Sequence, residues 1–238
     1  MNIVYVYADS QEEWNSAEWR CAIPARAIQK SNRNNAVLLD IESFAKNTKA
    51  AKDICAGSDL IIVQRNLFGP VLNAIQYWKA RDKVLVVDFD DAYNLIPPGV
   101  KNYDFWALGK YIRSGPNNEQ FEAKIDPPPL TQFKLGLRLV NAAIVPSTTL
   151  LNDWSEYVPV YHVPNYIDVD RYANAIQSEH DGIIIGWGGS LSHLQSFMES
   201  GVATALRNVC ESRPNVKIMI CGDERVYKLL KVPEGQKT

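Results

Sequence analysis

The 238-residue chain is 46% hydrophobic and 22% charged, an ordinary globular composition with room for one large α/β domain or two smaller ones. A net charge of −2 argues against a basic field for nucleic acid or an anionic membrane. No stretch approaches the roughly 18 consecutive apolar residues that a spanning helix needs.

The N-terminus, MNIVYVYADS, has no basic segment before its apolar run and reads as a first strand rather than a signal peptide. Further short runs rich in Val, Ile and Leu follow at residues 36–40, 59–64, 83–88, 142–147 and 159–163. Continuous apolar runs of this length suit parallel strands covered on both faces. Between them, residues 24–31, 70–80, 130–141 and 147–157 carry helical spacing. Pro24 and Pro70 suit first turns, and Ser147 is an N-cap candidate with Leu150, Leu151 and Trp154 on one face. The β-α alternation predicts a doubly wound parallel sheet. Residues 98–129, with the triplet Pro127, Pro128 and Pro129, break the rhythm and read as a long surface excursion.

A second β-α rhythm begins with a strand at 182–187, a turn at 188–193, and a helix running to about Ser212. A strand at 216–222 and a helix at 223–231 complete it. The four cysteines, Cys21, Cys55, Cys210 and Cys221, lack C-x-x-C spacing, which points to reduced thiols in the cytoplasm. The three histidines are scattered, so a zinc cluster has little support.

The strand at 83–88 ends in a carboxylate cluster, Asp88, Asp90 and Asp91. Like charges at a strand end are costly unless something neutralises or uses them. Several readings compete. A D-x-D after a strand resembles the first motif of haloacid dehalogenase-type phosphatases, although Ala92 and Tyr93 depart from that pattern. It could also be the metal-clamping D-x-D of one large class of sugar transferases. The bland reading is a turn whose Asp side chains cap local N–H groups. Open parallel sheets place ligand sites at the C-terminal ends of strands, which favours a functional role for the cluster as a whole.

The stretch 141–190 carries the strongest resemblance. A strand, Pro146-Ser147, a helix, a strand, the run Pro164-Asn165-Tyr166-Ile167-Asp168, a connector and GWGGS (186–190) follow in order. This resembles the retaining nucleotide-sugar glycosyltransferases of the GT-B fold, the "group 1" family. EWRCAIPARAI (18–28) is similar to that family's first helix. The resemblance implies an α/β, GT-B-like protein with a doubly wound, Rossmann-like N-terminal domain on the acceptor side at 1–167. A connector at 168–181 and an incomplete second Rossmann-like domain at 182–238 would follow. It implies transfer from a nucleotide-sugar donor to a carbohydrate or glycolipid acceptor in an interdomain cleft, with a retaining outcome and no metal or cofactor. Peripheral membrane contact through the acceptor and self-association through the second domain belong to the same expectation; nucleic acid does not.

Asp90 and Asp91 fall where many relatives carry His-Asp and are the catalytic candidates, with Arg20, Arg65, Asn66, Asp88 and Asn165 as cleft or acceptor contacts. Gly186, Gly188, Gly189 and Ser190 form the turn expected to receive the donor diphosphate, because glycines permit close backbone approach and a helix N-terminus favours anions. His193 and Arg225 are candidate cations, since Trp187 replaces the family's arginine. Nothing after residue 222 matches the family's acidic motif. The chain is therefore expected to be a truncated form, weakly active or inactive, whose strand at 216–222 presents an uncovered edge. Two alternatives stand beside the transferase: a non-catalytic sugar- or partner-binding remnant, and a nucleotide-sugar epimerase on the same scaffold.

Overall fold

The computed structural model describes residues 1–10, 15–116, 119–173, 179–189, 193–222 and 225–238. The chain divides into two compact units, Met1–Val169 and Asp170–Thr238.

The first unit opens with β1 (Asn2–Tyr7), a π-helical turn at Glu18–Ala22, and α1 (Ile23–Lys30). It continues through β2 (Asn35–Asp40), α2 (Ile41–Lys46), α3 (Lys49–Ala56), β3 (Leu60–Gln64), α4 (Pro70–Lys79) and β4 (Val84–Asp88). Then come α5 (Lys101–Leu108), β5 (Lys110–Ser114), β6 (Gln120–Lys124), α6 (Pro129–Leu137), β7 (Ala142–Val145), α7 (Thr148–Trp154) and β8 (Val160–His162). Six strands form one parallel sheet in the order β2-β1-β3-β4-β7-β8, and β5 and β6 pair as a separate antiparallel hairpin. The order runs outward in two directions from β1 and β3, which makes the C-terminal ends of those two strands the topological switch point.

Strand alternation explains the layers. Val4, Val6, Ile61, Val63, Leu85 and Val87 face the larger core with Phe44, Ile75, Phe133 and Trp154 of the helices. Ile3, Tyr5, Ile62 and Val86 face the opposite side and pack with Cys21 and Ala25. Both faces are covered, so the strands read as continuous apolar runs. The larger core is unusually aromatic. Phe133 meets Phe89 at 5.1 Å, Tyr93 at 5.2 Å and Trp154 at 5.4 Å between ring centroids. The Ser147 cap forms as expected, its hydroxyl accepting from Leu150 N at 3.3 Å.

The excursion at 98–129 has regular structure: α5 and the hairpin. Every residue of β5 is exposed, so no apolar alternation marks it in the sequence. Gly109, at φ 73°, turns α5 directly into β5 in the left-handed region that glycine adopts without strain.

The second unit holds α8 (Val169–Tyr172), β9 (Ile183–Gly189), α9 (Leu194–Glu199), α10 (Val202–Ser212), β10 (Val216–Gly222) and α11 (Arg225–Leu230). β9 and β10 pair in parallel, and Phe197, Ala203, Cys210, Ile218, Val226 and Leu230 form their core. The helix expected from 193 to 212 is two helices. Gly201, at φ 83°, is the break, because a left-handed residue cannot continue a right-handed helix. The uncovered edge expected of the strand at 216–222 is partly covered by the chain's own last residues. Lys237 bridges Ile218, and Thr238 N donates to Ile218 O at 3.0 Å. The buried amide nitrogen of Gln236 lies 2.9–3.0 Å from the carbonyls of Cys210, Arg213 and Val216.

Two outcomes follow from this packing. Phe133→Ala should cost about 3–5 kcal/mol of stability, read as a lower urea midpoint with little change in slope. Gln236→Ala removes the side-chain donor of the buried Cys210 and Val216 carbonyls and should cost about 1–3 kcal/mol. That loss should appear as faster amide exchange in β10 and α10, with β1 and β3 unaffected.

Candidate functional site

The C-terminal ends of the first unit's parallel strands gather most of its buried polar groups. At the switch point, Gln64 ends β3 almost fully buried. Its side chain accepts from Ala8 N at 2.8 Å and donates to Asp9 Oδ2 at 3.2 Å. Asp9 also pairs with the guanidinium of Arg65. Arg65 sits at φ 40°, inside a tight turn in which Asn66 N reaches Gln64 O at 2.5 Å. A non-glycine residue held in that region stores strain, and such residues cluster at functional sites.

The next strand carries the central ion pair. Arg20, from the π-helical turn, donates through Nε to Asp88 Oδ1 at 2.6 Å and through Nη2 to Asp88 Oδ2 at 3.0 Å. Its Nη1 reaches Val163 O and Asn165 Oδ1, each at 2.9 Å. Arg20 is 3% exposed and Asp88 4%. Burial pushes the Asp88 carboxyl up from 3.8 to about 7, with the Arg20 charge and hydrogen bonds holding it back from a larger rise. Burial also raises the neighbouring Cys21 thiol, with Asp88 adding to the shift, so that sulfur stays protonated and is a packing group rather than a nucleophile. Beyond Asp88, one oxygen of Asp90 is buried without a hydrogen-bond partner among the described residues. Asp91 is exposed.

The structure therefore draws the predicted residues into related groups. Arg20, Asp88 and Asn165 share one hydrogen-bond network. Arg65, Asn66 and Asp91 line one cavity of about 330 Å³, and Asp90 lies beside them in the chain.

The predicted residues of the second unit are placed differently from expectation. β9 continues through Gly189, so Gly186, Gly188 and Gly189 are strand residues, and the turn expected at 188 is not formed there. A side chain at Gly186 would meet open space, whereas one at Gly189 would come within 2.8 Å of the Trp187 indole. Gly188 and His193 line a cavity of about 430 Å³ walled by Trp187 and Phe197. Arg225 is the exposed first residue of α11 and does not line that cavity. Ser190 lies outside the described residues. α9 has only six residues, too short to focus a helix dipole on a diphosphate.

Sequence reading missed Asp9 and Gln64. The available signal was a polar residue closing each of two apolar strands at what becomes the switch point. It also missed Tyr93, Asn102, Phe105 and Trp106, for which no spacing rule applied. The four cysteines are free thiols, and among the described residues no helix is long and apolar enough to cross a membrane.

No protein-family model and no curated protein matches the sequence. Solved structures do. A Listeria monocytogenes protein assigned as a UDP-N-acetylglucosamine 2-epimerase aligns with a TM-score of 0.56 at 10% identity, over 99% of this chain and 67% of its own. S. aureus MnaA in complex with UDP aligns with a TM-score of 0.50 at 11% identity, over 99% and 67%. The UDP-GlcNAc 2-epimerase of Neisseria meningitidis bound to UDP-GlcNAc gives a TM-score of 0.49 at 11% identity, over 100% and 71%. The first two matches place the chain in the α/β, GT-B-like fold class. They also correct the functional expectation. The neighbours are epimerases, so sugar transfer to an acceptor does not stand. The motif order at 141–190 marks a scaffold that hosts more than one reaction and does not single out sugar transfer.

The buried pair yields a pH prediction. A folded-state value above the unfolded one gives a contribution that is fully present below about 3.8 and lost as pH rises through about 7. Asp88→Asn removes that titration. The stability cost of this substitution should therefore shrink between about pH 5 and about pH 8, measured by chemical denaturation at each pH. A cost that grows with pH would mean that the attraction of Arg20 outweighs burial.

Proposed function

We propose that this chain binds a nucleotide sugar and inverts one carbon of its sugar, as an epimerase, with the strand-end carboxylates of the first unit moving the proton. The observation that carries the proposal is the buried, unpartnered oxygen of Asp90 beside the Arg20–Asp88 pair at the strand ends. A carboxylate oxygen shielded from water and lacking a donor is costly unless a ligand supplies one. The positions fit the rule that open parallel sheets bind ligands at the C-terminal ends of their strands. The epimerase class comes from the neighbours' names and from the fold shared with them.

In this reading Asp90 takes the proton from the carbon next to the anomeric centre as the anomeric C–O bond breaks and the nucleoside diphosphate leaves with its electrons, giving a ring C=C bond; an acid then protonates that carbon from the opposite face as the nucleoside diphosphate re-forms the anomeric C–O bond. The fixed Arg20–Asp88 pair holds the strand-end backbone in place during both steps. No metal is written into this chemistry, and the assay includes an arm with chelator.

The test is incubation of the full chain with UDP-N-acetylglucosamine in D₂O, followed by proton NMR. Deuterium should appear at the inverted carbon together with a second epimer. Asp90→Asn should slow both by about 10²–10⁴-fold while the nucleotide still binds. Tight nucleotide-sugar binding with no deuterium uptake and no second epimer would defeat the epimerase reading.

A further inference from the structure

The core of the first unit keeps one hydroxyl that its packing does not need. Tyr93 is 3% exposed, and its phenol oxygen is buried without a hydrogen-bond partner among the described residues. Neighbouring rings hold the side chain. It stacks on Trp106 with centroids 3.9 Å apart and planes 21° from parallel, and it stands edge-on to Phe133 at 5.2 Å. A phenylalanine would make the same ring contacts. The oxygen lies on the axis of its ring, so fixing the ring fixes the oxygen, and the hydroxyl cannot swing out to water. A buried donor without an acceptor is destabilising, and such a group calls for a partner.

The surroundings point to a ligand as that partner. The charges of Asp91, Arg65, Asp90 and Asp9 act on the phenol, which places its oxygen toward the loops that follow β4, β3 and β1. Burial raises the phenol well above its ordinary range, with the Asp91 charge adding to the shift, so it remains an O–H donor. Tyr93 also lines the cavity of about 330 Å³, with Arg65, Asn66 and the half-buried rings of Phe68 and Phe105. Ligand sites run from about 300 to 1,000 Å³, so this volume matches one ring rather than a whole nucleotide sugar. Asp90 stands three residues earlier in the same loop, and one of its oxygens is buried and unpartnered too. A sugar ring at this loop can present a carbon to Asp90 and an oxygen to Tyr93.

We propose that Tyr93 holds the sugar of the nucleotide sugar, its phenol donating to an oxygen on the ring and so presenting the neighbouring carbon to Asp90. This inference rests on the nucleotide-sugar reading above and adds the residue that grips the sugar.

Tyr93→Phe keeps the ring and removes the hydroxyl. Calorimetry on the full chain compares UDP-N-acetylglucosamine with UDP, for the unsubstituted protein and the variant. The variant should bind the nucleotide sugar about three- to tenfold more weakly, the loss expected for one hydrogen bond, with its affinity for UDP unchanged. Urea denaturation of the free protein should show an unchanged or higher midpoint, since the hydroxyl has no partner to lose. A hydroxyl that serves the fold through a buried water gives the reverse pattern, a lower midpoint with both affinities unchanged, and would overturn the proposal. So would equal weakening for UDP and for the nucleotide sugar. The deuterium experiment fails separately. Sugar affinity that depends on Tyr93 without deuterium uptake would remove the epimerase and keep this contact, whereas uptake with unchanged affinity in the variant would keep the epimerase and remove the contact.

Discussion

The first unit depends on one buried guanidinium, that of Arg20. An arginine in an apolar interior must find a carboxylate, and every remaining N–H must find an acceptor. Arg20 meets the first demand with Asp88 and satisfies four of its five N–H groups. Asp88 takes two of them, while Val163 O and Asn165 take the other two. Three distant pieces of chain are thereby tied together: the π-helical turn after β1, the end of β4, and the segment following β8. Hydrophobic packing alone would tolerate small slips among these pieces. A bidentate, fully enclosed fork does not, because each slip exposes or orphans a charge. The upward shift at Asp88 means that burial opposes its ionised form even beside Arg20. The pair's contribution is to position the backbone of the strand ends, where Asp90 and Asp91 follow.

Much of this architecture was legible in the sequence because the physics is local. Runs such as Val84 to Val87 and Ile61 to Val63 are uniformly apolar since both faces of each strand are buried, and that pattern survives without any neighbour. Ser147 announces α7 for the same reason, since a cap acts within three residues. The site was legible only in part. Asp88 and Arg20 are separated by 68 positions and Gln64 and Asp9 by 55, and no short pattern ties them together. The hairpin of β5 and β6 was invisible because its exposed strands bury too little to show alternation. The glycine-rich stretch at 186–189 has turn composition and strand geometry, because pairing with β10 outweighs the local preference for a turn.

The functional misreading has a physical origin of the same kind. Pro146-Ser147, the Pro164 to Asp168 run and the glycines of β9 describe where the chain turns and where backbones approach. Those demands belong to the scaffold. Which bond is made or broken depends on the few groups at the strand ends, and the motifs leave these unspecified. Nucleotide-sugar transfer and epimerisation place different chemistry on the same frame.

The excursion at 98–129 has a consequence for how such a protein diversifies. Its helix supplies one wall of a cavity whose opposite wall is made of strand-end residues, yet no strand of the parallel sheet passes through it. Substitutions along α5 can reshape that cavity while leaving the Arg20 fork, the switch point and the register of all six strands as they are. The demands of recognition and of folding meet at Trp106, which lines the cavity and also packs in the main core against Phe133, so only exposed positions of α5 such as Asn102 are free to change what is recognised without touching the fold.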